Sequence, residues 1–267
     1  MSAREELPRA GTGSKASSAG GPQERFWSAG IIAAGRGSRL HDAYPGTVKP
    51  MVPVGGKPLI YWVVSSLRAA GVRSLVVLLN SSGDPARAYL QERFAGLTMT
   101  FLREDTASSW ESFRLVSRRL AERAESFMIS TVDALIPPEQ TRRFAREALA
   151  PFPASGSEGR PAAALALTRF VEDEKPLWAD VDAGGLVTAL GPAASRREAV
   201  TCGLYSLGRP VTAAMPAASA HGRLRDFWTD LLKSGRPVRG VLLADSVDVD
   251  RPEDLPAAER MTSCFGA

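Results

Sequence analysis

The chain has 267 residues, with 33 lysines and arginines against 29 aspartates and glutamates, a net charge of +4. Hydrophobic residues at 44% and charged residues at 23% are ordinary for a soluble globular protein, which excludes a mainly disordered or collagen-like chain. A chain this long buries roughly three quarters of its unfolded surface and needs no disulfide or structural metal to hold a core. Its length allows one large domain or two small ones. The charge is mild and no basic run is interleaved with aromatics, which argues against nucleic acid as a partner and suits a small anionic substrate. Cys202 and Cys264 form no CxxC, and His41 and His221 are far apart, so a Cys/His zinc site is excluded. Two cysteines and no signal peptide point to a reducing cytoplasm. The longest apolar run, Leu75 to Leu79, is strand-sized, so no membrane span is expected.

In chain order, residues 1–26 are rich in Gly, Ser, Ala and charge and read as a disordered tail. Order is expected from Trp27. Residues 29–34 (AGIIAA) predict a short apolar strand, followed by the glycine-rich turn Gly35-Arg36-Gly37-Ser38-Arg39-Leu40. A loop with Pro45, Gly46 and Pro50 leads to a helix opened by Pro58 and ended by Gly71, with Leu59, Trp62, Val63 and Leu67 on one face. Residues 74–79 predict a buried strand. Asp84 is expected to N-cap a helix to about Phe94, and residues 98–102 a strand. Ser108-Ser109-Trp110-Glu111 fits a capping box for a helix that lines up Trp110, Phe113, Val116 and Leu120. A strand at 127–131 runs into Val132-Asp133, and Pro138-Glu139 opens a helix to about Ala148. After a loop at 151–161, strands are predicted at 162–168, 177–181, 186–190 and 200–207. An amphipathic helix at 224–233, a strand at 238–243 and a helix opened by Pro252 complete the pass.

Strands alternating with helices give an α/β fold, a single three-layer α/β/α domain with a mostly parallel, mixed-edge sheet. The expected divisions are a tail at 1–26, one domain at 27–262 and a C-terminal tail at 263–267. Ligands of such sheets sit at the carboxyl ends of the strands. The glycine turn and Asp133 both follow strands, so they are expected to face one crevice.

Four features carry chemistry. Glycines in the 35–40 turn let the backbone approach a phosphate, and Arg36 and Arg39 add positive charge. The turn is not a dinucleotide fingerprint, because position 40 is Leu; nor is it a P-loop, because Arg36 and Gly37 stand where Lys and Ser/Thr are needed. Lys49 precedes Pro50, which favours an extended conformation that aims the side chain; read alone it is a solvated loop lysine. Asp133 is either a Mg²⁺ ligand at a strand end or the cap of the next helix. Asp248-Val249-Asp250 places two carboxylates on one face of a strand. Asp250 is the alternative cap for the Pro252 helix, which leaves Asp248 as the metal candidate. Asp180-Val181-Asp182 has the same spacing, but Gly184-Gly185 makes it a hairpin turn.

Taken together, AGIIAAGRGSRL, then KPMVPVGGKPLIYWVVSSLRAAGV, then Asp133, then VDVDRPEDL resemble the nucleotidyltransferases of the sugar-nucleotide pyrophosphorylase superfamily. The resemblance spans about residues 28–262, and its ending is similar to that of molybdenum-cofactor guanylyltransferases and methylerythritol cytidylyltransferases. It implies a Mg²⁺-dependent reaction in which an NTP and a phosphorylated small molecule give an NDP-linked product and pyrophosphate. It also implies site roles. Ala33, Ala34, Gly35, Arg36, Gly37 and Ser38 would wrap the nucleotide. Arg39 and Lys49 would neutralise phosphate charge, and Asp133 and Asp248 would hold Mg²⁺. Ser109 would read the base, with Glu111, unless both simply cap a helix. Gly203 would leave room for the substrate, unless it is a bulge. Lys175, in a displaced Glu-Lys-Pro stretch, is a candidate for the acceptor phosphate.

The expected acceptor is a sugar 1-phosphate. The alternatives are a cytidylyltransferase acting on phosphocholine or an inositol phosphate, and a glycosyltransferase using Asp248 and Asp250 as its DxD. A silent nucleotide-binding regulator is disfavoured by the coexistence of Arg39, Lys49, Asp133 and Asp248. No nucleic-acid or membrane partner is expected, and a homo-oligomer is compatible with the sequence.

Overall fold

The computed structural model describes residues 28–152, 159–169 and 176–265. The expected tail at 1–26, Trp27 and Lys175 lie outside the described residues.

The strands of the first half are β1 (Ser28–Ala33), the short hairpin β2 (Pro53–Val54) and β3 (Lys57–Pro58), β4 (Ser74–Leu79), β5 (Thr98–Arg103), β6 (Ser126–Thr131) and β7 (Ala134–Leu135). Between them run the helices α1 (Leu59–Ala69), α2 (Asp84–Arg93) and α3 (Ser109–Ala121), and α4 (Pro138–Glu147) follows. The second half adds β8 (Ala163–Thr168), β9 (Trp178–Val181), β10 (Val187–Leu190), β11 (Ala199–Gly208), α5 (Arg209–Ala213), α6 (Leu224–Lys233), β12 (Val238–Leu243), β13 (Val247–Asp248) and α7 (Leu255–Ser263).

Nine strands form one sheet along the path β10-β9-β11-β6-β1-β4-β5, with β8 joined to β11 and β12. The block β6-β1-β4-β5 is parallel, and β11 enters antiparallel beside β6. β12 then runs parallel to β8, so the second half extends the sheet of the first. Period-two alternation in β1 sends Ala29, Ile31 and Ala33 to the side covered by α1, α2 and α4. The opposite side of the sheet carries Trp110 and Phe113 of α3 and Phe227 and Trp228 of α6. A third cluster, Leu40, Val52, Val54, Leu59, Leu135, Val247, Val249 and Ala258, seats the C-terminal segment against the β2–β3 hairpin. That cluster positions the site, because its strands carry the residues on either side of it.

Several local expectations are corrected. Gly83, not Asp84, is the N-cap of α2, and Asp84 lies in the first turn, where its charge faces the helix dipole. Pro58 belongs to β3 and caps α1 from outside it. Pro252 opens a 3₁₀ turn, Pro252–Asp254, that leads into α7. The 180–182 segment makes the expected hairpin turn, with the Asp182 carboxylate accepting from Gly184 N and Leu186 N at 2.8 Å each.

Candidate active site

β1 has β4 on one side and β6 on the other, so its carboxyl end is a point where the chain order reverses. Such a reversal opens a crevice beyond the strand ends. The turn at 35–40 leaves β1 there. Gly37 has φ 62, and a Cβ built on it would lie 2.6 Å from Lys49 Cβ. Glycine is therefore required both for the left-handed backbone and for the approach of the lysine stem. Gly35, Arg36, Ser38 and Arg39 are exposed along the turn, while Ala33, Ala34 and Leu40 anchor it from below. The Asn80 amide at the end of β4 donates to Ala34 O at 3.3 Å and ties the turn to the next strand.

Lys49 is not in an extended segment. It begins a 3₁₀ turn, Lys49–Met51, closed by Met51 N donating to Val48 O at 2.8 Å and Val52 N to Lys49 O at 3.2 Å. These bonds outweigh the extended preference that Pro50 imposes. Nor is it solvated: its side chain is only 7% exposed. Its ammonium donates to Asp133 Oδ2 at 2.7 Å and to Asp250 Oδ1. Arg39, well exposed, pairs with the other oxygen of Asp250 at 3.4 Å.

Asp133 does not cap α4, whose N-cap is Pro137. Asp250 does not cap the Pro252 turn either. Asp254 does that work, accepting from Asp250 N and Arg251 N at 2.8 and 2.7 Å, which frees the Asp250 carboxylate to face Lys49. β13 pairs with β7, setting Asp248 opposite Ala134, and Val249 N donates to Asp133 O at 3.0 Å. One small ladder thus holds Asp248 within it, with Asp133 just before one strand and Asp250 just beyond the other. Asp250 is the member that sequence reasoning set aside. Its signal was the alternate spacing with Asp248, but only the packing decides which of the two meets Lys49.

The electrostatics follow from this burial. Burial opposes a charge on Lys49, yet Asp133 and Asp250 overcome it and raise its pKa. Burial likewise opposes a charged Asp133, but Lys49 and a hydrogen bond from Thr131 hold its carboxyl below the usual carboxylate range. Lys49 and Asp133 therefore stay ionised at neutral pH.

Other expected residues fall elsewhere. Ser109 Oγ accepts from Leu224 N at 3.0 Å, which pins the start of α6 to the start of α3. Ser108 Oγ accepts from Glu111 N at 3.1 Å, and the Glu111 carboxylate accepts from Ala107 N at 2.6 Å. Ser109 and Glu111 are thus engaged in helix-end contacts. Gly203 sits in a bulge of β11 with φ 74 and faces Thr131 and Ala134, the neighbours of Asp133, with no space for a ligand on that side.

Among the described residues no three or more His, Cys, Asp or Glu side chains converge as a ready metal site. Mg²⁺ rarely needs one: it takes one or two carboxylates, phosphate oxygens of the substrate and water. Two hard carboxylates meeting at a single cation, here Lys49, are a donor set of that kind. Among the described residues no helix is long and apolar enough to cross a membrane.

Comparison with known proteins agrees with this layout. A family model described as the MobA-like NTP transferase domain matches residues 29–201. The "Bifunctional IPC transferase and DIPP synthase" of Rubrobacter xylanophilus is 30% identical over 253 residues, covering 90% of this chain and 52% of that one. A glucose-1-phosphate thymidylyltransferase of Streptomyces griseus is 24% identical over 229 residues, 80% of this chain and 59% of that one. The chain thus spans little more than half the length of these relatives. The solved inositol-1-phosphate CTP transferase of T. maritima superposes with a TM-score of 0.75 at 19% identity, covering 90% of this chain and 96% of that one, and shares the fold. With a family model spanning well over half its length, the chain belongs to the MobA-like NTP transferase domain family.

Proposed function

We propose that the protein is a Mg²⁺-dependent nucleotidyltransferase that joins the nucleotidyl group of an NTP to a phosphorylated small molecule and releases pyrophosphate. The observation that carries this reading is Lys49, buried at the carboxyl end of the β1/β6 crevice between Asp133 and Asp250 and packed under the glycine turn. We read the nucleotide as CTP and the acceptor as an inositol phosphate. The relative spanning 90% of the chain bears the name of an IPC transferase, and the T. maritima neighbour is titled for inositol-1-phosphate and CTP. A hexose 1-phosphate is the second reading, favoured by the thymidylyltransferase relative.

In the reaction, an oxygen of the acceptor phosphate attacks the α-phosphorus. A new P–O bond forms, the α–β P–O bond breaks, and its electron pair leaves with pyrophosphate. The attacking group is already an anion, so no general base is required. The chain's task is to hold charge and line up the partners. Exposed backbone N–H groups of the 35–38 turn bind phosphate oxygens, with Arg36 and Arg39 at its rim. Lys49, kept charged by its two acids, turns toward the charge that builds on the α-phosphate. Asp133, with Asp250 or Asp248, would hold Mg²⁺, which when bound neutralises the triphosphate and polarises the α-phosphorus.

The test is pyrophosphate release with Mg²⁺, running CTP, ATP, GTP, UTP and dTTP against inositol phosphate, glucose 1-phosphate and phosphocholine. Release with one pair, reduced at least about a hundredfold in Asp133→Ala, is the expected outcome. Tight binding of an NDP-sugar with no release for any pair would sink the reading in favour of glycosyl transfer.

A further inference from the structure

The bulge in β11 lies where the catalytic acids leave the sheet. Beside β6 the pairing of β11 is regular, with Leu204 opposite Ser130. Beside β8 it slips: Thr201 faces Leu167 and Tyr205 faces Leu165, so Cys202, Gly203 and Leu204 together stand opposite Ala166 alone. Bulges of this kind bend a strand and re-aim what packs on it. Gly203 is at the apex with φ 74, and a Cβ there would stand 2.5 Å from Thr131 Oγ1 and 2.6 Å from Ala134 Cβ. Both contacts are far inside any real carbon contact, and both belong to the segment that presents Asp133. Thr131 donates to the Asp133 carboxylate, and Ala134 is the ladder partner of Asp248. Asp133 itself is tied to the other strand of that ladder through Val249.

From this contact the geometry points to Gly203 as a positioning residue. Its missing side chain lets the 131–134 segment seat flush on the β11 bulge, and that seating fixes where the Asp133 carboxylate stands relative to Lys49 and Asp250. Gly203 is then required by the acids, not by the bulk of the acceptor. This rests on the nucleotidyl-transfer reading only for its kinetic consequences; the placement of Asp133 is independent of it.

The experiment compares Gly203→Ala, Gly203→Ala/Ala134→Gly and Thr131→Val with the wild-type full chain. Crystal structures of the free proteins read the geometry directly, and steady-state kinetics with Mg²⁺ and CTP read its effect. In Gly203→Ala the Asp133 carboxylate is expected to move by about 1 Å from Lys49, a misplacement able to cost about a hundredfold in rate. kcat falls at least tenfold, the half-saturating Mg²⁺ concentration rises severalfold, and KM for the acceptor stays within twofold. Ala134→Gly removes one of the two clashes and recovers part of the loss. Thr131→Val keeps Gly203 and the shape of residue 131 but loses the hydrogen bond, so it should show the same kinetic signature even if Gly203→Ala fails to fold. An unmoved Asp133 in Gly203→Ala overturns the proposal, as does a defect confined to the acceptor KM, or a Thr131→Val enzyme with unchanged kcat and Mg²⁺ dependence. A wild-type protein that releases no pyrophosphate would sink the nucleotidyl-transfer reading instead, and the crystallographic comparison would still decide this one.

Discussion

Replacing Lys49 with methionine should cost more in folding than any surface charge, and the cost should depend on pH in a definite way. The ammonium is 2.7 Å from Asp133 and also bonded to Asp250, with its side chain 7% exposed. At an effective dielectric constant of about 20, one such contact is worth about 6 kcal/mol before desolvation. Desolvation takes back a large part, and removal of one partner of a buried pair typically destabilises by about 3–5 kcal/mol, because the other charge is left uncompensated. Here two carboxylates would be left facing each other. The expected loss corresponds to about 6–20 °C in Tm for a domain of this size. Asp133 has its pKa lowered in the folded state, so its contribution is complete above the ordinary carboxylate range and is lost as pH falls through the folded value. Lys49 has its pKa raised, so its contribution is complete below the ordinary lysine value and fades only at higher, strongly alkaline pH. Without Lys49, burial raises the Asp133 pKa in the variant, so urea unfolding of wild type and Lys49→Met should show a gap that is widest at mildly alkaline pH and narrows as the pH falls toward and through the ordinary carboxylate range. Adding Asp133→Asn and Asp250→Asn to Lys49→Met should recover most of the gap, since no unpaired charge remains. A gap under about 1 kcal/mol at neutral pH, or one unchanged in acid, would refute the reasoning.

Further outcomes follow from the same contacts. Gly37→Ala forces a Cβ to 2.6 Å from Lys49 Cβ on a left-handed backbone, so urea unfolding should show a loss of at least about 1–2 kcal/mol, and steady-state kinetics a tenfold or larger drop in kcat. Ser109→Ala removes the acceptor for Leu224 N and should cost about 1 kcal/mol in stability while KM for the nucleotide stays within twofold; a tenfold rise in KM would return Ser109 to base reading. Burial pushes the Cys202 thiol up to about 12, and Cys264 is exposed, so Ellman's reagent at pH 8 should titrate Cys264 alone in the native protein and both thiols in denaturant.

Much of the frame was legible because it rests on local periodicity. The strands at 74–79 and 238–243 and the helix at 224–233 coincide with their expected bounds, each a clean apolar pattern between breakers. The two-residue ladders β2–β3 and β7–β13 were missed, since two residues carry no period and exist only through their partners. The same reason explains the site. Lys49 and Asp133 were identifiable as residues, but the burial that turns a loop lysine into the centre of an ion triad comes from the packing of the Gly37 turn over its stem. Asp250 could not be told from Asp248 without knowing that Asp254 already served the turn. Gly203 was visible as a glycine in a strand; which neighbour needed its missing side chain depended on a register shift that no sequence pattern encodes.

The reach of the Lys49 contacts bears on how the protein comes into being. Lys49 meets Asp133 across 84 positions of sequence and Asp250 across 201. During synthesis the glycine turn and its lysine emerge early and must wait, at about 5–20 residues per second, for the last acid to be made. A nascent chain halted anywhere before residue 250 holds the glycine turn and its lysine without their full counter-charge. Such a fragment is unable to close the triad, however well its first strands pair. Completion of the Lys49 triad is thus coupled to translation of the C-terminal segment, and a closed triad reports that the chain has been read through to it.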